Sequence, residues 1–217
     1  MKSILVLFLA LPVLFAGCSK YTDNFLLDKN SNSGIAIQPL GNFDENDLIF
    51  IREEVARFYD KPVVILSSIE LPATFLVRSE FPGYYADSIL ALLSQQNKGK
   101  YAEVIGITHV DIYASADSHS SRKKRPTSDR GALRGIFGIG YNPGRVCVVS
   151  DHRIRIEDSV IARQRLRTVI LHEVGHNIGL QHCKVGTCLM SESNGFMPAL
   201  DLCSGEYCGA CKGKLSN

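Results

Sequence analysis

The sequence lacks a dominant charge. Its 24 lysines and arginines face 22 aspartates and glutamates, a formal net charge of +2. That balance excludes nucleic acid, or an anionic membrane surface at large, as a partner held by charge. Any apolar run long enough to cross a bilayer is also missing. The run at the amino terminus, Ile4 to Ala16, falls short of the roughly 20 residues a spanning helix needs. Internal repeats are absent, which excludes a solenoid. No cysteine stands between Cys18 and Cys147. With 217 residues and 45% hydrophobic content, the chain is one globular domain with a proper core, plus appendages.

The amino terminus reads as one such appendage. Lys2 and the apolar run that follows occupy the place of a signal segment. Phe15-Ala16-Gly17-Cys18 resembles the bacterial lipoprotein cleavage box, with small residues before the cysteine, although Phe15 departs from the usual aliphatic residue. The expectation is a signal peptide over 1–17, lipidation of Cys18, and a lipid-anchored place on the periplasmic or surface side of a bacterial envelope. An ordinary secreted protein is the alternative. Residues 18–34 are polar and rich in Asn and Ser, which suits a flexible tether, and the folded domain is expected over 35–217.

Chemistry concentrates between His172 and His182, which read H-E-x-x-H-x-x-G-x-x-H. On a helix, His172 and His176 lie one turn apart on one face, so their rings can converge on a single ion. Glu173 stands beside them, placed to take a proton from a water that the ion polarises. In a continuing helix, at about 100° per residue, His182 would point roughly 120° away and about 9 Å further on. The helix must therefore stop, and Gly179 is the residue best able to take the left-handed turn that stops it. Three neutral histidines leave one zinc position open, the mark of a catalytic site.

Periodicity places this motif in a fold. Ile35 to Leu40 reads as a strand, Asp44 as the N-cap of a helix to about Phe58 with Leu48, Ile51, Val55 and Phe58 in a row. Val63 to Leu66 reads as a buried strand, and Tyr85 to Gln95 as a helix with Ile89, Leu92 and Leu93 inward. Val104 to Thr108 is a further strand. Leu133 to Tyr141 and Arg145 to Ser150 form an expected antiparallel pair joined by Asn142-Pro143-Gly144. The motif helix begins near Asp158 or Ser159, with Leu166, Ile170 and Val174 opposite the histidines. The polar segment from Ser115 to Arg130, with Arg122-Lys123-Lys124-Arg125 in it, reads as a solvated loop. The sum is an α/β (α+β) fold, a mixed sheet flanked by helices, with a small, loop-rich carboxy-terminal subdomain from about residue 183.

The later cysteines admit two readings. An exported chain can oxidise Cys183, Cys188, Cys203, Cys208 and Cys211 into disulfides. Against that, Cys183-x-x-x-x-Cys188 and Cys208-x-x-Cys211 have the spacing that lets four thiolates surround one zinc. Cys147, in an apolar run, is expected as a buried thiol, and Cys203 has no assignment.

From His172 through Cys183, Cys188, Met190 and the Cys208-x-x-Cys211 pair, the sequence resembles the archaemetzincins, a family of metzincin zinc metallopeptidases. The resemblance extends upstream through Arg78, Val104 to Tyr113, Ile136 to Gly140, Val148 to Ser150 and Arg153, most of residues 60 to 214. It implies a zinc-dependent peptidase with a five-stranded mixed sheet, a catalytic zinc on His172, His176 and His182, and Glu173 as general base. It favours the four-cysteine reading, hence a second, structural zinc, and it makes Met190 the Met-turn beneath the metal. It implies that Gly135 to Gly140 is an edge strand along which a peptide or protein substrate lies extended. A monomer with no nucleic-acid partner is expected. No cysteine in residues 19–146 is available as a zinc-blocking thiol. Where some metzincins carry a tyrosine two residues after the methionine, this chain has Glu192, which assigns no oxyanion donor. Asp111 and Tyr113 are expected to orient the nearby loop. A binding protein without turnover, or hydrolysis of a non-peptide amide, are the alternative functions, and the retained Glu173 favours an enzyme.

Overall fold

The computed structural model describes residues 34–78, 81–115, 133–193 and 195–215. The signal segment, Cys18, most of the tether and the basic run 122–125 lie outside the described residues. Among the described residues, no helix is long and apolar enough to cross a membrane.

The described residues form nine strands and five α-helices, in chain order β1 (Ile35–Leu40), α1 (Glu45–Tyr59), β2 (Val63–Ile65), β3 (Leu76–Val77), β4 (Gly83–Tyr85), α2 (Ala86–Asn97), β5 (Glu103–Thr108), β6 (Ile112–Ser115), β7 (Leu133–Ile136), β8 (Gly138–Gly140), β9 (Val146–Ser150), α3 (Ser159–Asn177), α4 (Met197–Asp201) and α5 (Gly209–Leu215). The main sheet has the order β2-β1-β5-β9-β8. Its first four strands are parallel and β8 is antiparallel to β9. This is the expected five-stranded mixed sheet.

The pleat divides the core into two layers. Ile35, Ile37, Ile105, Ile107, Cys147 and Val149 face α1 and α3, while Ala36, Val104, Val146 and Val148 face α2. The period of two in the strands and of 3.6 in the helices therefore meets on both faces. Leu48, Ile51 and Val55 pack from α1, and Leu166, Ile170 and Val174 from α3. Asp44 caps α1 as expected, its carboxylate accepting from the Asp47 N–H, and α3 starts where expected, with the Asp158 carboxylate accepting from Val160 and Ile161. Cys147 is fully buried, and burial pushes its thiol well above the ordinary range.

Four expectations need correction. Val63 to Leu66 is shorter, ends at Ile65, and is half-buried because β2 is the outermost strand of the sheet. On α2, Leu90 is buried in place of Leu92, since the helix packs against both β5 and the small β6. Leu133 to Tyr141 is not one strand. The chain bends at Phe137, whose side chain is buried in the main core. Only β8 then pairs with β9, whereas β7 pairs with β6 in a second, four-stranded sheet of order β3-β4-β6-β7. Gly135 to Gly140 is consequently not one edge strand but two, one at the margin of each sheet.

Asp111 and Tyr113 gain a role here. Arg153 donates through Nε and Nη2 to the two oxygens of the buried Asp111 carboxylate, at 2.7 and 2.6 Å. This bidentate pair ties the start of β6 to the segment after β9, and Tyr113 donates to the Phe81 carbonyl.

Candidate metal centres and their surroundings

Helix α3 carries His172 and His176 and stops where His182 requires. Gly179 has φ +96°. Its N–H donates to the His176 carbonyl at 2.8 Å, and the Leu180 N–H donates to the Gly175 carbonyl at 3.0 Å. These are the two bonds of a Schellman termination. The chain doubles back and brings the His182 Nε2 to 3.2 Å from the His176 Nε2. One ligand atom from each of the three imidazoles lies within 4.8 Å of the others.

The ring protons are settled by carbonyls. His172 Nδ1 sits 2.7 Å from the Leu189 oxygen and His176 Nδ1 2.8 Å from the Leu180 oxygen. A carbonyl only accepts, so both Nδ1 atoms carry the proton and both Nε2 lone pairs face the cluster. Burial and the neighbouring His176 push His172 down to about 3, which keeps the ring neutral. His182 is different. Its nearest acidic neighbour is Glu192, 3.8 Å from Nδ1, and its side chain is 44% exposed.

Glu173, the residue after His172 on the helix, packs against the sheet. A Cβ on Gly138 would come within 2.8 Å of its Cγ, so the carboxylate lies directly against β8. Burial pushes the carboxyl up to about 8, against an opposing hydrogen bond from the Gly140 backbone. Met190 is fully buried under the helix, and a Cβ on Gly175 would clash with its sulfur. Close passage of the methionine therefore requires glycine at 175.

Cys183, Cys188, Cys208 and Cys211 come together as a second cluster, again within 4.8 Å of one another. The Cys183 and Cys208 sulfurs are 3.7 Å apart and those of Cys188 and Cys211 3.8 Å. A disulfide needs about 2.05 Å, and these cysteines are free thiols. Cys203 stays outside the set: it is half-buried, its sulfur accepts the Gly205 N–H at 3.4 Å, and burial raises its thiol.

Both clusters fit zinc. Tetrahedral bonds of about 2.0–2.1 Å to nitrogen separate neighbouring ligand atoms by about 3.3 Å, and bonds of about 2.3 Å to sulfur by about 3.8 Å. The observed spacings of 3.2 Å and of 3.7–3.8 Å match. The Cys208 thiol is drawn down to about 7 by the Cys211 backbone N–H, while burial pushes the Cys211 thiol up. Four converging thiols cannot all ionise without a cation among them, so the donor set is built for a dication.

Several residues around these clusters escaped sequence reasoning. Asn142, read only as a turn residue, donates to the Leu180 carbonyl at 2.8 Å. The Tyr59 hydroxyl donates to the Leu171 carbonyl at 2.8 Å and lies 2.9 Å from the Tyr207 hydroxyl, which touches the space beside Gly175. Asn177, the last residue of α3, donates to the buried Glu103 carboxylate at 2.8 Å. No local pattern marks these partners, because each contact joins distant stretches of chain.

Known proteins resemble this chain in sequence and in fold. The family model of Peptidase family M54 matches residues 59–217. The archaemetzincin of Pyrococcus furiosus is 30% identical over 192 residues, 83% of this chain and 91% of that one. The archaemetzincin of Halobacterium salinarum is 33% identical, over 82% and 96% of the two chains. Among solved structures, the archaemetzincin of Methanopyrus kandleri superposes with a TM-score of 0.69 at 24% identity, covering 87% of this chain and 96% of that one. That of Archaeoglobus fulgidus, solved with malonate, gives 0.68 at 24% identity, over 83% and 99%.

Proposed function

Because the chain belongs to Peptidase family M54, the archaemetzincins, and is a zinc metallopeptidase, we propose that Glu173 is its general base. Its substrate on this reading is a peptide laid in extended form along the outer margin of β8. The observation that carries this is the position of Glu173, next in sequence to His172 of the imidazole cluster and packed against β8, the last strand of the sheet.

His172, His176 and His182 would hold the zinc, which when bound would supply Lewis acidity to a water and to the scissile carbonyl. Glu173 accepts the proton of the attacking water and passes it to the leaving nitrogen, as the acyl carbon gains the hydroxyl and the C–N bond breaks. Its buried setting suits a group that must both take and return a proton near neutral pH. Among the described residues strand β8 pairs only with β9, and a peptide added along its other margin passes the carboxylate. Cys183, Cys188, Cys208 and Cys211 hold a second, structural zinc on this reading, with Met190 packed beneath the first.

Glu173→Ala is expected to retain zinc at the wild-type stoichiometry, since the carboxylate is not a ligand. Its peptide hydrolysis should fall by roughly 10²- to 10⁴-fold, the usual worth of a positioned general base. Equal rates for wild type and variant at equal zinc occupancy would sink the assignment.

A further inference from the structure

We propose that Asn142, in the loop between β8 and β9, is a positioning residue for the catalytic zinc, acting on two of its three histidines at once. The proposal rests on His172, His176 and His182 being the ligands of that ion.

Two histidines stand on a regular helix; the third does not. Between the last helical residue, Asn177, and His182 lie four residues that must hold one course for the third imidazole to arrive. Among the described residues, His182 has no hydrogen-bonded carbonyl of the kind that serves His172 and His176. Its Glu192 neighbour, at 3.8 Å, stands beyond hydrogen-bond reach. The turn therefore needs an anchor from elsewhere.

The side-chain amide of Asn142 provides one. Its Nδ2 donates to the Leu180 carbonyl at 2.8 Å, and its Oδ1 accepts from the Gln181 Nε2 at 2.9 Å. One planar group thus grips the two residues immediately before His182. Two positions on in the same loop, the Gly144 N–H donates to the Asn177 carbonyl at 2.9 Å, holding the end of α3. The Leu180 oxygen that Asn142 fixes is the same one that receives the His176 Nδ1 proton at 2.8 Å. The Asn142 Nδ2 and His176 Nδ1 are 3.1 Å apart because both donate to it, each using one of the two lone pairs of the carbonyl. Asn142 thereby holds the acceptor that orients His176 and the backbone that delivers His182.

The test is zinc affinity of the full chain, measured by chelator competition, with cobalt(II) as a spectroscopic stand-in that distinguishes nitrogen from thiolate ligation. Asn142→Ala is expected to weaken the histidine site by about 10- to 100-fold, as loss of a ligand's supporting partner does. The thiolate-to-cobalt band of the cysteine site should remain. Asn142→Asp, which keeps an acceptor for Gln181 but presents an oxygen to the Leu180 carbonyl, should lose affinity to the same order. Gln181→Ala, at an exposed residue, should lose less. Wild-type affinity in Asn142→Ala overturns the proposal. If that variant fails to fold, Gln181→Ala decides: wild-type affinity overturns the proposal, and a loss confined to the histidine site upholds it. A wild-type chain that binds no zinc through its histidines fails earlier, at the ligand assignment itself.

Discussion

The two clusters differ in what holds them before any ion arrives. Two of the three histidines project from a 19-residue helix whose opposite side, Leu166, Ile170 and Val174, is sealed into the main core. Core packing, with the caps at Asp158 and Gly179, orders that helix. The four cysteines come from a stretch with no strand or helix, 183–188, and from the first turn of the seven-residue α5 and the residue before it. Little regular hydrogen bonding orders those segments. The histidine cluster is a feature placed on a finished fold, whereas the cysteine cluster is part of what finishes the fold. Dependence then runs in one direction, because Met190 and Tyr207, which seat α3 at Gly175, lie on the segments that the cysteines bind together.

The sharpest way to break this contrast is Cys208→Ala. It should lose the ion of the cysteine cluster and show the largest stability loss of the substitutions considered. Structural zinc contributes on the order of 10 kcal/mol in small modules. Peptidase activity should go with it, as Met190 and Tyr207 lose their seat. Elemental analysis and calorimetry read both effects, and wild-type melting with one zinc lost would abolish the distinction.

His182→Ala is expected to do less. The histidine cluster should lose its zinc and peptide hydrolysis should cease, while one zinc stays on the cysteines and the melting temperature moves little. Loss of both ions in this variant would show that the clusters are not separable.

The smallest effect concerns the anchor of α3. Burial pushes Glu103 from 4.5 to about 7, even with the Asn177 amide donating to it. A carboxyl whose folded pKa is raised keeps its proton in the folded chain when the unfolded chain has released it. Stability therefore falls as pH rises from about 4.5 to about 7, and the cost persists above that. Glu103→Gln keeps an acceptor for Asn177 and removes the ionisation. At pH 8 it should be more stable than wild type by about 1–2 kcal/mol, with the difference gone near pH 4. Denaturant melts at the two pH values measure it, and an equal gain at both would mean that packing, not ionisation, is responsible.

Much of the histidine site was legible because its determinants are local. The one-turn spacing of His172 and His176, the stop at Gly179, the start of α3 near Asp158 and the apolar row of α3 each involve residues within a few positions of one another. Backbone geometry acts at that range whatever the rest of the chain does. The converging cysteine pairs were legible from spacing too, although an exported chain left disulfides open, and only the 3.7–3.8 Å sulfur separations decide against them.

What the sequence by itself determined is therefore which histidines and cysteines gather in the two clusters, and the local geometry of the helix that carries two of the histidines. Tertiary structure decided the rest. It split Leu133 to Ile136 from Gly138 to Gly140 and sent them to different sheets, because Phe137 finds its place in the main core. It exchanged Leu92 for Leu90 on α2. It supplied the partners that orient the site: Asn142 to Leu180 across 38 residues, Tyr59 to Leu171 across 112, and Tyr59 to Tyr207 across 148. Such contacts leave no periodic trace, since a carbonyl or a lone amide is present in any sequence and becomes specific only when chain closure brings one partner to it.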